Sequence, residues 1–259
     1  MKKKNYLNNR DILSEIHKSK SSYCRFTEAD YHQYDSILLG VDKINIRTVA
    51  DAKRARAKRI SSDLDYRKVA KTDLIFRIMT FEHIPAEPGR KKNPKTVADT
   101  KVKVNFPPFQ HYKFNEEDEL VCVGKSHWIG DVETGHFSLE SGTSTDTLAT
   151  MWIKLCERYA TKGNVRGYTY NDEMRGQAIL QLAQIGLQFD ESKSANPFAY
   201  YTAAVTNSFV RIINLEKKNQ TIRDDILEMN NMAPSYTRQA EGEWAIALKR
   251  EAEYQEQFN

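Results

Sequence analysis

Residues 196 to 229 constrain the fold most strongly, because they carry the longest helical pattern in the chain. Asn196 is a favourable N-cap residue, and Pro197 is tolerated at the first helical position, where its missing N–H has no intrahelical partner. The predicted apolar face contains Phe198, Tyr201, Val205, Phe209 and Ile212. A second face contains Tyr200, Ala204, Asn207, Arg211, Asn214 and Lys218. This second face suits opened nucleic acid, since bases stack on aromatic rings and cations neutralise phosphates.

Two further helices are predicted between residue 145 and this long helix. The first starts with Thr145 or Asp146 as its cap and buries Leu148, Met151, Trp152, Leu155 and Tyr159. Asn171 is the predicted cap of the next helix, where Asp172 and Glu173 suit the positive end of the helix dipole. Its buried face contains Met174, Ala178, Leu182, Ile185 and Phe189.

The N-terminal half has a mixed pattern. Helices are predicted over about residues 5–20 and 41–60, and the second one contains Lys53, Arg54, Arg56, Lys58 and Arg59. These cations either contact phosphate or form a solvated face. Short strand-like pieces follow at Val102/Val104/Phe106, Tyr112/Phe114 and residues 120–123. The fold class is therefore mainly α, with a smaller α+β region N-terminal to a helical domain and a polar linker at residues 141–145.

Composition and motif spacing exclude several classes of protein. The 259 residues contain no apolar run of membrane-spanning length, and the initial Met-Lys-Lys-Lys lacks the apolar stretch of a signal peptide. Cys24, Cys122 and Cys156 are far apart, which indicates reduced thiols of an intracellular protein. No zinc-type His/Cys cluster, P-loop or nucleophile–base pair is recognisable. We therefore expect no enzymatic activity, no metal, no cofactor and no membrane partner, while the net charge of +4 is compatible with nucleic acid.

Four short motifs in the C-terminal half occur in an order that resembles conserved region 2 of bacterial sigma factors. They are Asp172-Glu173-Met174, Gln188-Phe189-Asp190, Asn196-Pro197-Phe198-Ala199-Tyr200-Tyr201 and Lys217-Lys218-Asn219-Gln220-Thr221-Ile222-Arg223. More specifically, the chain is similar to the late-transcription sigma factors of T-even-type phages, including marine cyanophage members. This similarity extends to residues 6–13 and to Phe106-Pro107-Pro108-Phe109-Gln110-His111. It implies an N-terminal helix at 1–20, an insertion at 21–143, a region 2-like domain at 144–230 and a tail at 231–259.

The resemblance implies a role in transcription initiation in the host cell cytoplasm. Region 2 docks on the β′ clamp helices of the host core RNA polymerase, recognises a TATA-like late promoter element and holds the non-template strand during opening. The implied polymerase contacts are Glu173, Gly176, Gln177, Ile179, Leu180 and Gln181. The implied DNA contacts are Phe198, Tyr200, Tyr201, Asn207, Ser208, Arg211, Asn214, Lys217, Lys218 and Arg223. Among the aromatic residues, Tyr200 is expected to be the more exposed, and Phe198 and Tyr201 also belong to the apolar face.

The chain departs from the family pattern at several places. Ala204 and Val205 stand where housekeeping sigma factors carry a tryptophan pair, so Tyr200-Tyr201 replaces that wedge or a phage co-activator assists opening. About 30 residues follow Met229, too few for a second DNA-binding module, and recognition is therefore expected to rest on a single promoter box. Residues 241–248 loosely approximate the motif by which phage relatives bind the sliding clamp.

Two questions stay open from the sequence. The first is whether the chain is instead an RNA polymerase-binding adaptor that does not itself read promoter DNA. The second is the role of the insertion at 21–143, which could touch upstream DNA through residues 53–59, replace missing sigma regions on the polymerase or bind another phage protein.

Overall fold

The computed structural model describes residues 7–61, 63–85 and 104–257, and it divides the chain into two compact units, residues 1–205 and 206–259. The described residues form six α-helices and a larger and a smaller sheet. The helices are α1 (Asn9–Ser21), α2 (Ile46–Ile60), α3 (Asp146–Ala160), α4 (Asn171–Ile185), α5 (Pro197–Met229) and α6 (Tyr236–Gln257). The strands are β1 (Cys24–Phe26), β2 (Ser36–Leu38), β3 (Ile75–Met79), β4 (Phe109–Phe114), β5 (Leu120–Ser126), β6 (Trp128–Ile129) and β7 (His136–Phe137). The prediction that the chain is mainly α-helical, with a smaller α+β region in its N-terminal half, is confirmed.

The larger sheet has the strand order β1-β5-β4-β3-β2. Only β2 runs parallel to its neighbour, β3, and the other pairs are antiparallel. On the face covered by α2, Ala52 and Ala57 of the helix belong to the same buried cluster as Phe76 and Phe114 of the sheet. The predicted strand at 102–106 is wrong within its described part, since Val104 and Phe106 are buried without forming a strand, and Val102 lies outside the described residues.

Helix α1 is joined to the start of α3 by hydrogen bonds. Thr145 caps α3 by accepting a bond from the Leu148 N–H at 3.2 Å, which confirms one of the two predicted caps. The Thr145 hydroxyl donates to Glu15 at 2.9 Å, and its backbone N–H donates to the Ser19 hydroxyl at 3.0 Å. The segment predicted as a polar linker is therefore held against α1 rather than running freely between domains.

The start of α4 differs from the prediction. Asn171 is the first residue of the helix, the capping position belongs to Tyr170, and no side-chain hydrogen bond caps this end. The Asn171 amide instead donates to the carbonyl oxygens of Ala160 at 3.1 Å and Val165 at 3.0 Å. Asparagine is common both at helix caps and in loop-closing bonds, and only the tertiary structure distinguishes these uses.

A buried polar network lies within the first unit. Lys20 donates to the Phe189 carbonyl at 2.6 Å and to the Glu191 carboxylate at 2.7 Å. Burial disfavours both charges, but Lys20 and Arg77 together hold the pKa of Glu191 below its usual value. Arg77 is 1% exposed, stacks between two aromatic rings and donates to His111 Nε2 at 3.0 Å. This network was not predicted, because no local pattern marks its members.

The second unit contains the part of α5 that begins at Thr206, together with α6. Asn231 adopts a left-handed conformation with φ of 58° in the turn between the helices, as asparagine tolerates. Asp224 of α5 is buried and accepts bonds from the Ser235 N–H at 2.8 Å and hydroxyl at 2.7 Å. These bonds lower the pKa of Asp224 and fix the start of α6. Helix α6 occupies most of the segment that the sequence assigns to the C-terminal tail, residues 231–259.

Candidate nucleic-acid interface

The start of α5 has the predicted cap. Asn196 Oδ1 accepts a hydrogen bond from the Ala199 N–H at 3.0 Å, and Pro197 occupies the first helical position. The Phe198 N–H, which would otherwise have no partner in the first helical turn, donates to Asn9 Oδ1 at 3.0 Å. The aromatic segment is therefore held both by its own cap and by α1.

The exposure of the three aromatic side chains differs from the prediction. Phe198 was assigned to the apolar face but is 37% exposed, whereas Tyr200 is half-buried and Tyr201 is 1% exposed. The expectation that Tyr200 is the most exposed of the three is therefore wrong. Only the rings of Phe198 and Tyr200 present surface on which a base could stack, because the ring of Tyr201 is inside the first unit.

Both tyrosines are anchored by their hydroxyl groups at the end of α4. Tyr200 donates to the Ile185 carbonyl at 3.1 Å, and Tyr201 donates to the Gly186 carbonyl at 2.8 Å. Burial raises the pKa of both phenols, so both stay protonated and keep these bonds. Gly186 lies so close to Trp152 that an added Cβ would be 2.2 Å from its ring. The aromatic segment thus has a closely packed support.

The part of α5 that belongs to the second unit presents a polar row, which we define as Asn207, Arg211, Asn214 and Lys218. All four side chains are exposed, and their spacing of four, three and four residues aligns them along one side of the helix over about 16 Å. Phe209 and Ile212, which fall on other faces, are buried. No ion pair in the described chain involves Arg211 or Lys218, so their charges are available to a ligand.

Three of the seven predicted polar DNA contacts do not belong to this row. Ser208 is buried, so its hydroxyl is not presented to a ligand at this surface. Lys217 is exposed but points about a quarter turn away from the row, and Arg223 is exposed on nearly the opposite side of the helix. The sequence grouped these residues by their order in a motif, whereas the helical rotation of 100° per residue separates them.

The predicted polymerase-contact residues share the solvent side of α4. Glu173, Gly176, Gln177 and Leu180 are exposed, and Ile179 and Gln181 are half-buried. The opposite side buries Met174, Ala178 and Leu182, in agreement with the predicted apolar face. Leu180 is 57% exposed, which leaves an apolar side chain in the middle of an otherwise polar surface.

The described residues contain no group of three or more His, Cys, Asp or Glu side chains that could hold a metal ion. Within the same residues, no helix is both long and apolar enough to cross a membrane. We found no match for this chain among family models, curated proteins or solved structures.

Proposed function

We propose that this protein is a phage late sigma factor, which binds host core RNA polymerase, recognises a TATA-like promoter element and supports promoter opening. The observation that carries the proposal is the polar row of α5. Amide and cationic side chains alternate along it, they are exposed together, and neither cation forms an ion pair with a described residue. A helix of this kind is suited to read base edges and to neutralise phosphates.

Within the row, different side chains suit different DNA groups. Asn207 and Asn214 can each form a bidentate contact with adenine, which fits a TATA-like element. Arg211 can contact guanine or phosphate, and Lys218 neutralises phosphate. Lys217 and Arg223 are better placed to meet phosphates away from the row, because they point in other directions.

The aromatic segment at the start of α5 is proposed to hold an unstacked base. Phe198 is the best candidate, because its ring is exposed while its backbone is fixed by the bond to Asn9. Stacking of one base on such a ring contributes about 1–3 kcal/mol. Tyr200 offers part of its ring, and Tyr201 would act by supporting the segment from within the first unit.

The solvent side of α4 is proposed to dock on the polymerase clamp helices. In this proposal the exposed Leu180 and the half-buried Ile179 form the apolar centre of the interface, and the polar residues around them form its rim. A Leu180→Lys substitution should therefore weaken core polymerase binding at least tenfold. The matched control is Ile153→Lys, which changes an exposed apolar residue of α3 in the same way and should leave core binding unchanged.

Run-off transcription tests the function directly. Purified host core polymerase and this protein are combined on a template with one TATA-like box. Initiation at the box that requires both components would support the proposal. Phe198→Ala should then reduce initiation on duplex templates more than on pre-melted ones. An equal defect on both templates would mean that Phe198 does not capture a base during opening.

A second candidate is an adaptor that binds the polymerase without reading promoters. The burial of Tyr201 and the tethering of Tyr200 favour it, since they leave less aromatic surface than strand capture would use. An adaptor would bind core polymerase tightly without initiating, and Asn207→Ala with Arg211→Ala would not change its activity.

A further inference from the structure

Helix α2 is one of the most basic segments of this protein. Six of its fifteen residues are Lys or Arg and one is Asp, which gives the helix a formal charge of +5, whereas the whole chain carries +4. The remainder of the chain is therefore slightly acidic. Such an uneven distribution of charge is typical of a protein that binds a polyanion at its basic surface.

Two of these cations have a structural use. Arg56 and Arg59 both pair with Asp35, whose side chain is completely buried and also accepts the Ile75 N–H at 2.9 Å. These bonds attach the last turns of α2 to the starts of β2 and β3. Because Arg56 and Arg59 are paired within the fold, we do not count them among the cations that could bind a ligand.

Three of the four remaining cations point outward, while Lys53 is half-buried. Arg47, Arg54 and Lys58 are exposed and lie on one row with Asp51, on the side of α2 opposite the one that packs on the sheet. Arg54 pairs with Asp51 at 2.7 Å, while no ion pair in the described chain involves Arg47 or Lys58.

The basic surface continues beyond the helix. The guanidinium groups of Arg54 and Arg67 both approach the Tyr66 ring, at 5.1 and 5.9 Å from its centre, so this turn lies beside the row. Lys68 is exposed next to Arg67. We call the combined set, Arg47, Arg54, Lys58, Arg67 and Lys68, the α2 surface.

We propose that the α2 surface binds the phosphate backbone of double-stranded DNA without reading its sequence. The exposed row has no Asn or Gln that could read a base, because Asn45 is engaged as the N-cap of α2. A duplex offers one negative charge per about 1.7 Å of its axis, so a straight row of cations finds phosphates in any register.

Duplex DNA fits this surface better than an acidic protein does. Protein interfaces gain most of their binding energy from buried aromatic, aliphatic or arginine anchors in an apolar centre. The row itself carries no large apolar side chain, and the exposed Ile46 and Ile60 stand at the two ends of the helix, off the row. The α2 surface is therefore suited to bind a ligand through charge rather than through apolar contacts.

The test measures binding of the full chain to a random-sequence 30-base-pair duplex over a series of salt concentrations. The variant Arg47→Gln/Lys58→Gln/Arg67→Gln removes three charges from the α2 surface. The control variant Arg158→Gln/Lys162→Gln/Arg166→Gln removes three exposed charges from the end of α3 and the following loop. Each lost phosphate contact should reduce the slope of log K against log salt by about 0.9, a total of about 2–3 for the first variant.

An unchanged slope in the α2 variant, or an equal reduction in both variants, would overturn the proposal. If the slope stays constant while affinity for core polymerase falls, the surface contacts protein instead, and the proposal fails. If the triple variant does not fold, the double variant Arg47→Gln/Lys58→Gln replaces it, with an expected slope reduction of about 2. Because this readout needs neither polymerase nor promoter, a failed run-off assay would reject the proposed function and leave this inference standing.

Discussion

Helix α2 and the polar row of α5 have the same spacing but different chemistry. Arg47, Asp51, Arg54 and Lys58 in α2, and Asn207, Arg211, Asn214 and Lys218 in α5, each follow steps of four, three and four residues. The α2 row contains only charged groups, whereas the α5 row alternates amides with cations. Charge alone neutralises phosphate, while an amide with both donor and acceptor can distinguish one base from another.

The two helices also differ in how the fold uses their cations. In α2, the pairs of Arg56 and Arg59 with the buried Asp35 are part of the packing of the first unit. In the α5 row, neither Arg211 nor Lys218 pairs with a carboxylate of the described chain. The number of cations that a basic helix leaves for a ligand therefore depends on how many of them pair with buried carboxylates elsewhere in the fold.

The largest expected effect tests the structural role of Asp35. Asp35→Ala leaves the Ile75 N–H without an acceptor and removes the partner of two partly exposed arginines, and it should lower the free energy of unfolding by about 2–4 kcal/mol. The matched control, Asp51→Ala, removes the exposed partner of Arg54 and should change stability by less than about 1 kcal/mol. Urea denaturation measures both, and equal effects would show that the burial of Asp35 does not matter.

Acid should weaken the unit that contains α2. All six histidines lie between residues 17 and 136, and burial lowers the pKa of His127 to about 3, with His83 and Lys20 acting in the same direction. Below the ordinary histidine pKa of 6.5, this side chain binds a proton in the unfolded chain but not in the folded chain. Stability is therefore complete above pH 6.5 and is lost as the pH falls from 6.5 towards 3, by about 1.4 kcal/mol per pH unit for this histidine.

The measurement is the free energy of unfolding at several pH values for the wild type and for His127→Gln. The variant should have a shallower slope between pH 6 and 4, although it is less stable overall. His136→Gln, which changes an exposed histidine, is the control. A slope identical to wild type in His127→Gln would mean that other groups cause the acid sensitivity.

Local sequence patterns predicted the helices better than they predicted the contacts of those helices with the rest of the fold. The end of α5 at Met229, the caps Asn196 and Thr145 and the apolar side of α4 follow from spacing and capping preferences, which act within a few residues. Asp35, Arg77 and Glu191 could not be predicted as structural residues, because their partners are far away in the sequence. Phe198 was misassigned for a related reason, since periodicity places it on the apolar face but does not show whether another element covers that face at the first turn.

A smaller effect is expected at the two anchored tyrosines. Tyr201→Phe leaves the Gly186 carbonyl without its donor inside the first unit and should reduce stability by about 1–3 kcal/mol. Tyr200→Phe removes the bond to the Ile185 carbonyl at a half-buried position and should reduce it by about 0.5–1.5 kcal/mol. Thermal unfolding of both variants measures the difference. A larger loss for Tyr200→Phe would contradict the assignment of Tyr201 as the internal support.

The smallest effect on stability, and the most direct comparison of the two rows, comes from Asn207→Ala and Lys58→Gln. Both residues are exposed, and neither pairs with a described carboxylate, so each change should alter the free energy of unfolding by less than about 0.5 kcal/mol. Affinity for a TATA-like duplex and for a scrambled duplex of equal length separates their roles. Asn207→Ala should reduce the ratio of these affinities about tenfold, because a bidentate amide contact with adenine contributes about 1–3 kcal/mol of discrimination. Lys58→Gln should weaken binding to both duplexes equally, and the same pattern for both variants would mean that the α5 row only neutralises phosphate.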